Sequence, residues 1–285
     1  MAGVAVVTDS TASLDAVRAA RAGVSVIPLQ VVIDGRSRPE SEVEPAEVAL
    51  ALRAGRRVTT SRPSPELIAA RYAELADLGH EAIVSVHLSA KISGTYAAAQ
   101  LAAESSAIPV VVVDSTTLAM AAGFAVLSAA EAAHAGESAD EVATIARRRA
   151  EAAVTYFSVD SLEHLRRGGR IGTAAAMLGS ALAVKPLLTV AGGEIRAYER
   201  VRTASKALLR LEELGLGALA RAAGDRDHVD VAVHHLDNAE GAARLVERLS
   251  GRVSTCGELV VASMSAVLGV HVGPGTLGIV VSPRP

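Results

Sequence analysis

The stretch AIVSVHLSAKISGTYAAA, residues 82–99, decides the class of fold. Its first six residues, 82–87, carry apolar side chains on both faces, the pattern of a strand covered by helices on each side of a parallel sheet. Its last residues pass through Ser93, Gly94 and Thr95 into an alanine run that reads as the start of a helix. Three more runs of the first kind, VAVV at 4–7, VSVIPL at 24–29 and PVVVVD at 109–114, alternate with helix-like segments. One helix opens at Ser64-Pro65, puts Ile68, Tyr72 and Leu75 on one face and stops at Gly79. Another opens with the capping box Ser138/Glu141 and runs to about Ala153. The alternation predicts a three-layer α/β/α domain with a mainly parallel sheet over residues 1–153.

Beyond residue 153 the strands crowd together. TYFSV at 155–159, LLTVA at 187–191, EIRAYE at 194–199, VDVAVHH at 229–235, RVSTCG at 252–257 and TLGIVVS at 276–282 read as strands. Helices are expected near 161–168, 203–214 and 238–250, and the AGGE at 191–194 signals a hairpin turn. Residues 259–282 contain no Asp, Glu, Lys or Arg, but Gly269, Gly273, Pro274, Gly275 and Gly278 interrupt the run, which reads as two strands joined by a tight turn rather than a membrane span. A second α/β domain with a mixed sheet is therefore expected over 154–285, and 285 residues suit two domains.

Composition removes several functions. With 28 basic and 31 acidic residues the formal charge is −3, which builds no field for nucleic acid. Six aromatic residues (Tyr 4, Phe 2, Trp 0) leave no stacking platform for bases, so aliphatic side chains must line any pocket. Cys256 is the single cysteine, no Cys/His cluster has metal-ligand spacing, and His234 and His235 point to opposite faces of a strand. No metal and no cofactor are expected. The N-terminal MAGVAVVTDS lacks a basic leader and meets Asp9 early, so a cytoplasmic protein without stable membrane insertion is expected.

In open α/β sheets ligands bind beyond the carboxyl ends of the strands, and the residues there bear hydroxyls. They are Asp9, Ser10 and Thr11; Thr59, Thr60 and Ser61; Ser89, Ser93, Gly94 and Thr95; and Asp114, Ser115 and Thr116. Such residues are also ordinary helix N-caps, but the Ser93-Gly94-Thr95 step adds a glycine that lets backbone N–H groups and hydroxyls face an anion. The G-x-G-x-x-G match GPGTLG at 273–278 has no helix after it to receive a pyrophosphate, and reads instead as a sharp turn that aims His271. His271 is either a buried, satisfied histidine or a donor to a ligand carboxylate. Ser93, His271 and Asp9 or Asp114 also admit a triad, hence an alternative reading as a serine-type esterase or acyl transferase. In EHLRRGGRIG at 163–172, Arg166 and Arg167 complement a helix C-terminus, while Arg170 beyond it is free for a phosphate, an acidic partner or solvent.

Taken in order, VTDSTASL at 7–14, TTSRPSP at 59–65, LSAKISGTYAAA at 88–99, VVDSTTLAMAAG at 112–123, LRRGGRI at 165–171 and GVHVGPGTLG at 269–278 resemble the DegV family of fatty-acid-binding proteins. The resemblance implies two α/β domains enclosing a long-chain fatty acid in an apolar tunnel, with no chemistry of their own. It implies that Ser93 with Gly94, either Thr60 or Ser61, and His271 hold the carboxylate, and that Arg170 and Arg202 lie near the head group. It further implies a partner, an ATP-using fatty-acid kinase subunit that phosphorylates the presented carboxyl group. Arg62, where the family often has glutamine, and Val270 and Val272, which flank His271 where a hydroxyl is common, depart from the pattern. The alanines of AAAMLGSALAV at 174–184 suit an adjustable apolar lining.

Overall fold

A computed structural model describes residues 3–177, 184–222, 228–250 and 256–284, so part of the alanine-rich 174–184 stretch lies outside the described residues. The chain begins with β1 (Val4–Asp9), α1 (Ala16–Arg21) and β2 (Val24–Ile27), then β3 (Gln30–Ile33), β4 (Arg36–Pro39), α2 (Pro45–Arg53) and β5 (Val58–Ser61). It continues through α3 (Pro65–Asp77), β6 (Ala82–His87), α4 (Thr95–Ala103), β7 (Val110–Asp114), α5 (Ala119–His134) and α6 (Ala139–Ala152). β2-β1-β6-β7 form an all-parallel sheet. Ile68, Tyr72 and Leu75 of α3 and the alanines of α4 cover one face, and α5 and α6 cover the other, which gives the three layers. The caps are those of the sequence: the Ser64 hydroxyl accepts from Leu67 N–H, Ser138 accepts from Glu141 N–H, and Gly79 takes φ +88°.

The second half contains β8 (Val154–Ser158), α7 (Glu163–Arg167), β9 (Lys185–Ala191), β10 (Glu194–Val201) and α8 (Ala204–Ala222). It ends with β11 (Val229–His235), α9 (Ala239–Ser250), β12 (Cys256–Ser263), α10 (Ala266–Val272) and β13 (Leu277–Pro283). The sheet order is β10-β9-β8-β13-β11-β12, with β11 and β12 parallel and the other pairs antiparallel. Gly192 and Gly193, at φ +60° and +83°, make the β9–β10 hairpin turn. α8 and α9 pack on one face of this sheet. The opposite face meets α5, where Met120, Ala121 and Phe124 touch Ala232 and Val280, so one helix layer is shared by both sheets.

Two expectations are corrected. Residues 58–61 do not end a strand of the parallel sheet; β5 belongs to a separate antiparallel sheet, β4-β3-β5. Asp34-Gly35, with both φ values positive, forms the two-residue hairpin that builds it. Residues 259–282 are not two strands joined by a tight turn, because α10 lies between β12 and β13. Its apolar residues are buried on three sides: Ala266, Val267 and Val270 against the small sheet and α2, and Leu268 and Val272 toward the six-stranded sheet. Tertiary packing thus holds a helix whose β-branched composition favours a strand. In addition α8 extends to Ala222, past the expected 214, and the strand expected at 252–257 is described only from Cys256. Among the described residues no helix is long and apolar enough to cross a membrane.

The shared layer is tied to the second sheet by a buried ion pair. Arg149 of α6, 1% exposed, donates to Asp230 of β11, to Ser128 Oγ at 2.5 Å and to Ser282 Oγ at 3.2 Å. Asp230→Ala leaves the guanidinium buried without its countercharge and should cost about 3–5 kcal/mol, seen as a lower urea midpoint. Replacing both partners, Arg149→Met with Asp230→Leu, should recover most of that loss; equal loss in the single and double variants would refute this account.

Candidate functional site

The loop after β6 carries Ser93, and the second half of the chain holds that loop on two sides. The Ser89 hydroxyl donates to Gly193 O at 2.7 Å, and Arg170 Nε donates to Ile92 O at 3.1 Å. A Cβ at Gly193 would lie 2.7 Å from Ser89 Oγ, so the hairpin turn needs glycine for contact as well as for φ. Ser93 Oγ accepts from Thr95 N–H at 3.3 Å and lies 2.9 Å from Thr95 Oγ1. Gly94 is the N-cap of α4 and lines the same cavity as Ser93, and its missing side chain leaves the room that the Arg62 guanidinium occupies.

His271 stands in the last turn of α10. The Ser265 hydroxyl caps that helix by accepting from Leu268 N–H at 3.2 Å, and the buried Glu40 accepts from Val267 N–H at 2.7 Å. Burial pushes the Glu40 carboxyl above the usual range. Nε2 of His271 lies 2.9 Å from Thr60 Oγ1, while Nδ1 is buried without a partner against Gly168, where a Cβ would come within 2.3 Å. Burial first, and the Arg170 charge second, push the His271 pKa down to about 4, so the ring is neutral at pH 7.

Three cavities meet at this histidine. The first is a narrow apolar slot of about 40 Å³ between the six-stranded sheet and α10, lined by Ile92, Leu118, Phe157, Ile195, Met264 and Leu268 among others. The second, of about 260 Å³, contains Thr60, Ser61, Arg62, Ser93 and Gly94. The third is an outer groove of about 560 Å³ lined by Arg56, Arg57, His164, Arg167 and Thr60. His271 and Arg170 line all three, and Ile92 and Leu268 are common to the slot and the Ser93 cavity. The arrangement offers neutral hydroxyl and backbone donors at the mouth of an apolar slot, with arginines outside.

The structure brings Thr60, Ser61, Ser93, Gly94, Arg170 and His271 together and leaves Arg202 apart, exposed in the bend after β10 and outside the linings of these three cavities. Thr60 and Ser61 point to opposite faces of β5; the Thr60 hydroxyl is bonded to His271, and Ser61 lines the cavity. Arg62 arches over Gly94, donating to its carbonyl at 3.3 Å. Arg166 and Arg167 are both engaged by Glu163, whose carboxyl they hold down to about 2. The admitted triad does not assemble: Asp9 bonds His87 at 3.0 Å, Asp114 accepts from Ala90 and Thr116 N–H groups, and His271 bonds Thr60. Among the described residues no group of three or more His, Cys, Asp or Glu could hold a metal ion. Thr155 and His234, which line the slot, were not anticipated; Gly278 of β13, with no side chain between two lined strands, was the one sequence signal near them.

The whole chain matches known proteins. Residues 3–284 match the model of the family described as uncharacterised protein, DegV family. A DegV domain-containing protein of Streptomyces coelicolor is 51% identical over 282 residues, 99% of either chain, and one of Mycobacterium tuberculosis is 37% identical over 280 residues, 98% of this chain and 96% of its own. Among solved structures, a fatty-acid-binding DegV family protein of Thermus thermophilus superposes with a TM-score of 0.91 at 33% identity over 99% of both chains. DegV of Bacillus subtilis, a fatty acid binding protein, gives 0.90 at 33% identity over 100% of both.

The neutral His271 has a consequence for acid stability. Its folded pKa of about 4 lies below the ordinary 6.5, as does that of the buried His234, also pushed down to about 4 by burial. Both groups are neutral in either state above pH 6.5; below it the unfolded chain binds protons the folded chain refuses, so stability should fall from about pH 6.5 to about 4 and level off beneath. NMR titration of the ring carbons should show His271 still neutral at pH 5.5; a midpoint near 6.5 would contradict the burial argument.

Proposed function

The chain belongs to the DegV family, and on that premise we propose that it binds one long-chain fatty acid, tail in the apolar slot and carboxylate at Ser93. The observation that carries this reading is the continuity of the two cavities: Ile92, Arg170, Leu268 and His271 line both the slot and the space in front of Ser93. Fatty-acid binding by the Thermus and Bacillus relatives supports it. Fourteen or so methylenes at roughly 0.8 kcal/mol each make on the order of 11 kcal/mol available before the costs of association.

A carboxylate taken from water needs hydrogen bonds. Ser93 Oγ, backbone N–H groups at the start of α4 beyond that of Thr95, which is bonded to Ser93, and the Ser61 hydroxyl supply them, and Thr60 joins through His271. With Nε2–H of the neutral imidazole donating to Thr60 Oγ1, the Thr60 O–H is left to donate to the acid. The slot of about 40 Å³ holds little more than one water, so an acyl chain enters only as Ile92, Leu118, Met264 and Leu268 move apart. Met264, unbranched and polarizable, is suited to that.

The protein in this reading is a cytoplasmic carrier without catalysis of its own, built as domains 1–153 and 154–285 that close on the lipid. It presents the carboxyl group to an ATP-using fatty-acid kinase subunit. The outer groove supports a phosphorylated head group or an acidic partner there, because Arg56, Arg57, Arg167 and Arg170 line it directly behind His271. Arg202, exposed after β10 and away from these cavities, is in this reading a contact for the partner rather than for the phosphate.

Purified protein, denatured and extracted with organic solvent, should release stoichiometric fatty acid by mass spectrometry. Protein that is empty and takes up neither oleate nor palmitate overturns the reading. Ser93→Ala should weaken binding by about 1–3 kcal/mol, the loss of a hydrogen bond to a charged acceptor, in a fluorescent fatty-acid displacement assay.

A further inference from the structure

The floor of the slot is one face of β8, β13 and β11. Their antiparallel register sets Phe157 and His234 on either side of Gly278, and Thr155 and Ala232 on either side of Val280. Paired residues share a face, so Thr155 and His234 stand among apolar neighbours on the slot side, and both line it. Thr155 is 6% exposed and its Oγ1 has no hydrogen-bond partner; His234 is 2% exposed and its Nδ1 has none.

The protonation of His234 follows from its other nitrogen. Met120 N–H donates to Nε2 at 3.2 Å, so Nε2 is bare. Burial keeps the ring neutral, with a pKa of about 4, and its one proton therefore sits on Nδ1. The backbone of Ala262 on the neighbouring strand lies near the ring and favours its protonated form, yet completes no hydrogen bond of normal geometry with Nδ1. The wall of the slot thus contains, on β11, a histidine whose Nδ1 completes no hydrogen bond of normal geometry and, on β8, a threonine whose hydroxyl is unpaired, both covered by apolar atoms while the slot is closed. A saturated hydrocarbon tail laid over them leaves both unpaired, whereas an oxygen on the tail accepts from either.

We propose that the slot selects acyl chains bearing an oxygen function, a hydroxyl or keto group, away from the carboxylate, with Thr155 and His234 as the groups that bond it. This rests on the fatty-acid reading above and narrows its ligand class. Thr155 and His234 lie on different strands, one on each side of β13, so they serve oxygens at different positions along the chain.

The test is a set of affinities for stearate and its 3-, 8-, 10- and 12-hydroxy and 12-oxo derivatives, measured by displacement of a fluorescent fatty acid. At least one derivative should bind about tenfold or more tightly than stearate, one buried hydrogen bond's worth. In Thr155→Val with His234→Phe that ratio should fall to within about twofold of one. Should the double variant not fold, Thr155→Val alone, a swap of hydroxyl for methyl, must cut the advantage of at least one derivative about fivefold. Stearate bound with no oxygenated chain preferred, or a preference that survives these substitutions, overturns the inference alone. No binding of any fatty acid overturns it together with the reading it rests on.

Discussion

Everything at the site depends on one helix layer serving two sheets. α5 is buried over most of its length, with only Glu131 and His134 of its last turn exposed, and it is rich in small residues: Ala119, Ala121, Ala122, Ala125 and Ala129 are each 2% exposed or less, and Gly123 is buried among them. Over the turns before Glu131 it has no solvated face to offer, so it must be covered on both sides there. Gly123 marks how close the approach is, since a Cβ there would stand 2.5 Å from the Ala12 carbonyl oxygen. With the two sheets drawn together over α5, the carboxyl edge of the first faces the β9–β10 turn of the second. Ser89 on Gly193 and Arg170 on Ile92 are the contacts that result, and the Ser93 loop takes its shape between them.

The same approach sorts charge from neutrality. The buried polar groups of the slot and the Ser93 cavity are hydroxyls and an imidazole held neutral, while Arg62 and Arg170, which also line the Ser93 cavity, and Arg167 of the outer groove are exposed residues at its rim. A buried arginine would need a countercharge, as Arg149 has in Asp230, and that countercharge would repel an acid. Neutral donors bind a carboxylate without this conflict, and the exposed arginines add a field that water screens only in part. His271, common to all three cavities, is where the two regimes touch.

Much of this was legible because the decisive residues act locally. Ser64 and Ser138 bond N–H groups three residues away, Gly79 needs only its own φ, the positive φ of Gly192 and Gly193 is a local turn signal, and the strands of the parallel sheet are marked by apolar runs. Ser93 was legible as well, since a serine before a glycine at a helix start has the same geometry wherever it occurs. What could not be read depends on distant partners. AVLGVHV at 266–272 becomes a helix because the small sheet, α2 and Glu40 enclose it, and a short apolar run does not by its periodicity tell helix from strand. The Asp34-Gly35 hairpin was a local signal and was overlooked, which misplaced Thr60 and Ser61 at the edge of the wrong sheet.

The residue types of a catalytic triad are present but have been used otherwise. Beneath the Ser93 loop Tyr72 O–H donates to Ser85 Oγ at 2.9 Å, Ser85 lies 2.8 Å from His87 Nε2, and His87 Nδ1 lies 3.0 Å from Asp9 Oδ2. Ser85, His87 and Asp9 are each 1% exposed or less, so no substrate reaches this serine. Burial pushes the Asp9 carboxyl up, but His87, Thr11 and Leu88 N–H outweigh it and hold the group below its ordinary value. Asp9 therefore stays ionised at the buried edge of the parallel sheet, with Leu88 N–H bonded to it at 3.0 Å at the first residue of the loop. A chain of satisfied polar groups is stiff because breaking any one bond leaves a buried atom unpaired. It anchors the start of the Ser93 loop from below while Gly193 and Arg170 hold it from the side, and a loop held in this way presents a hydroxyl in one fixed direction.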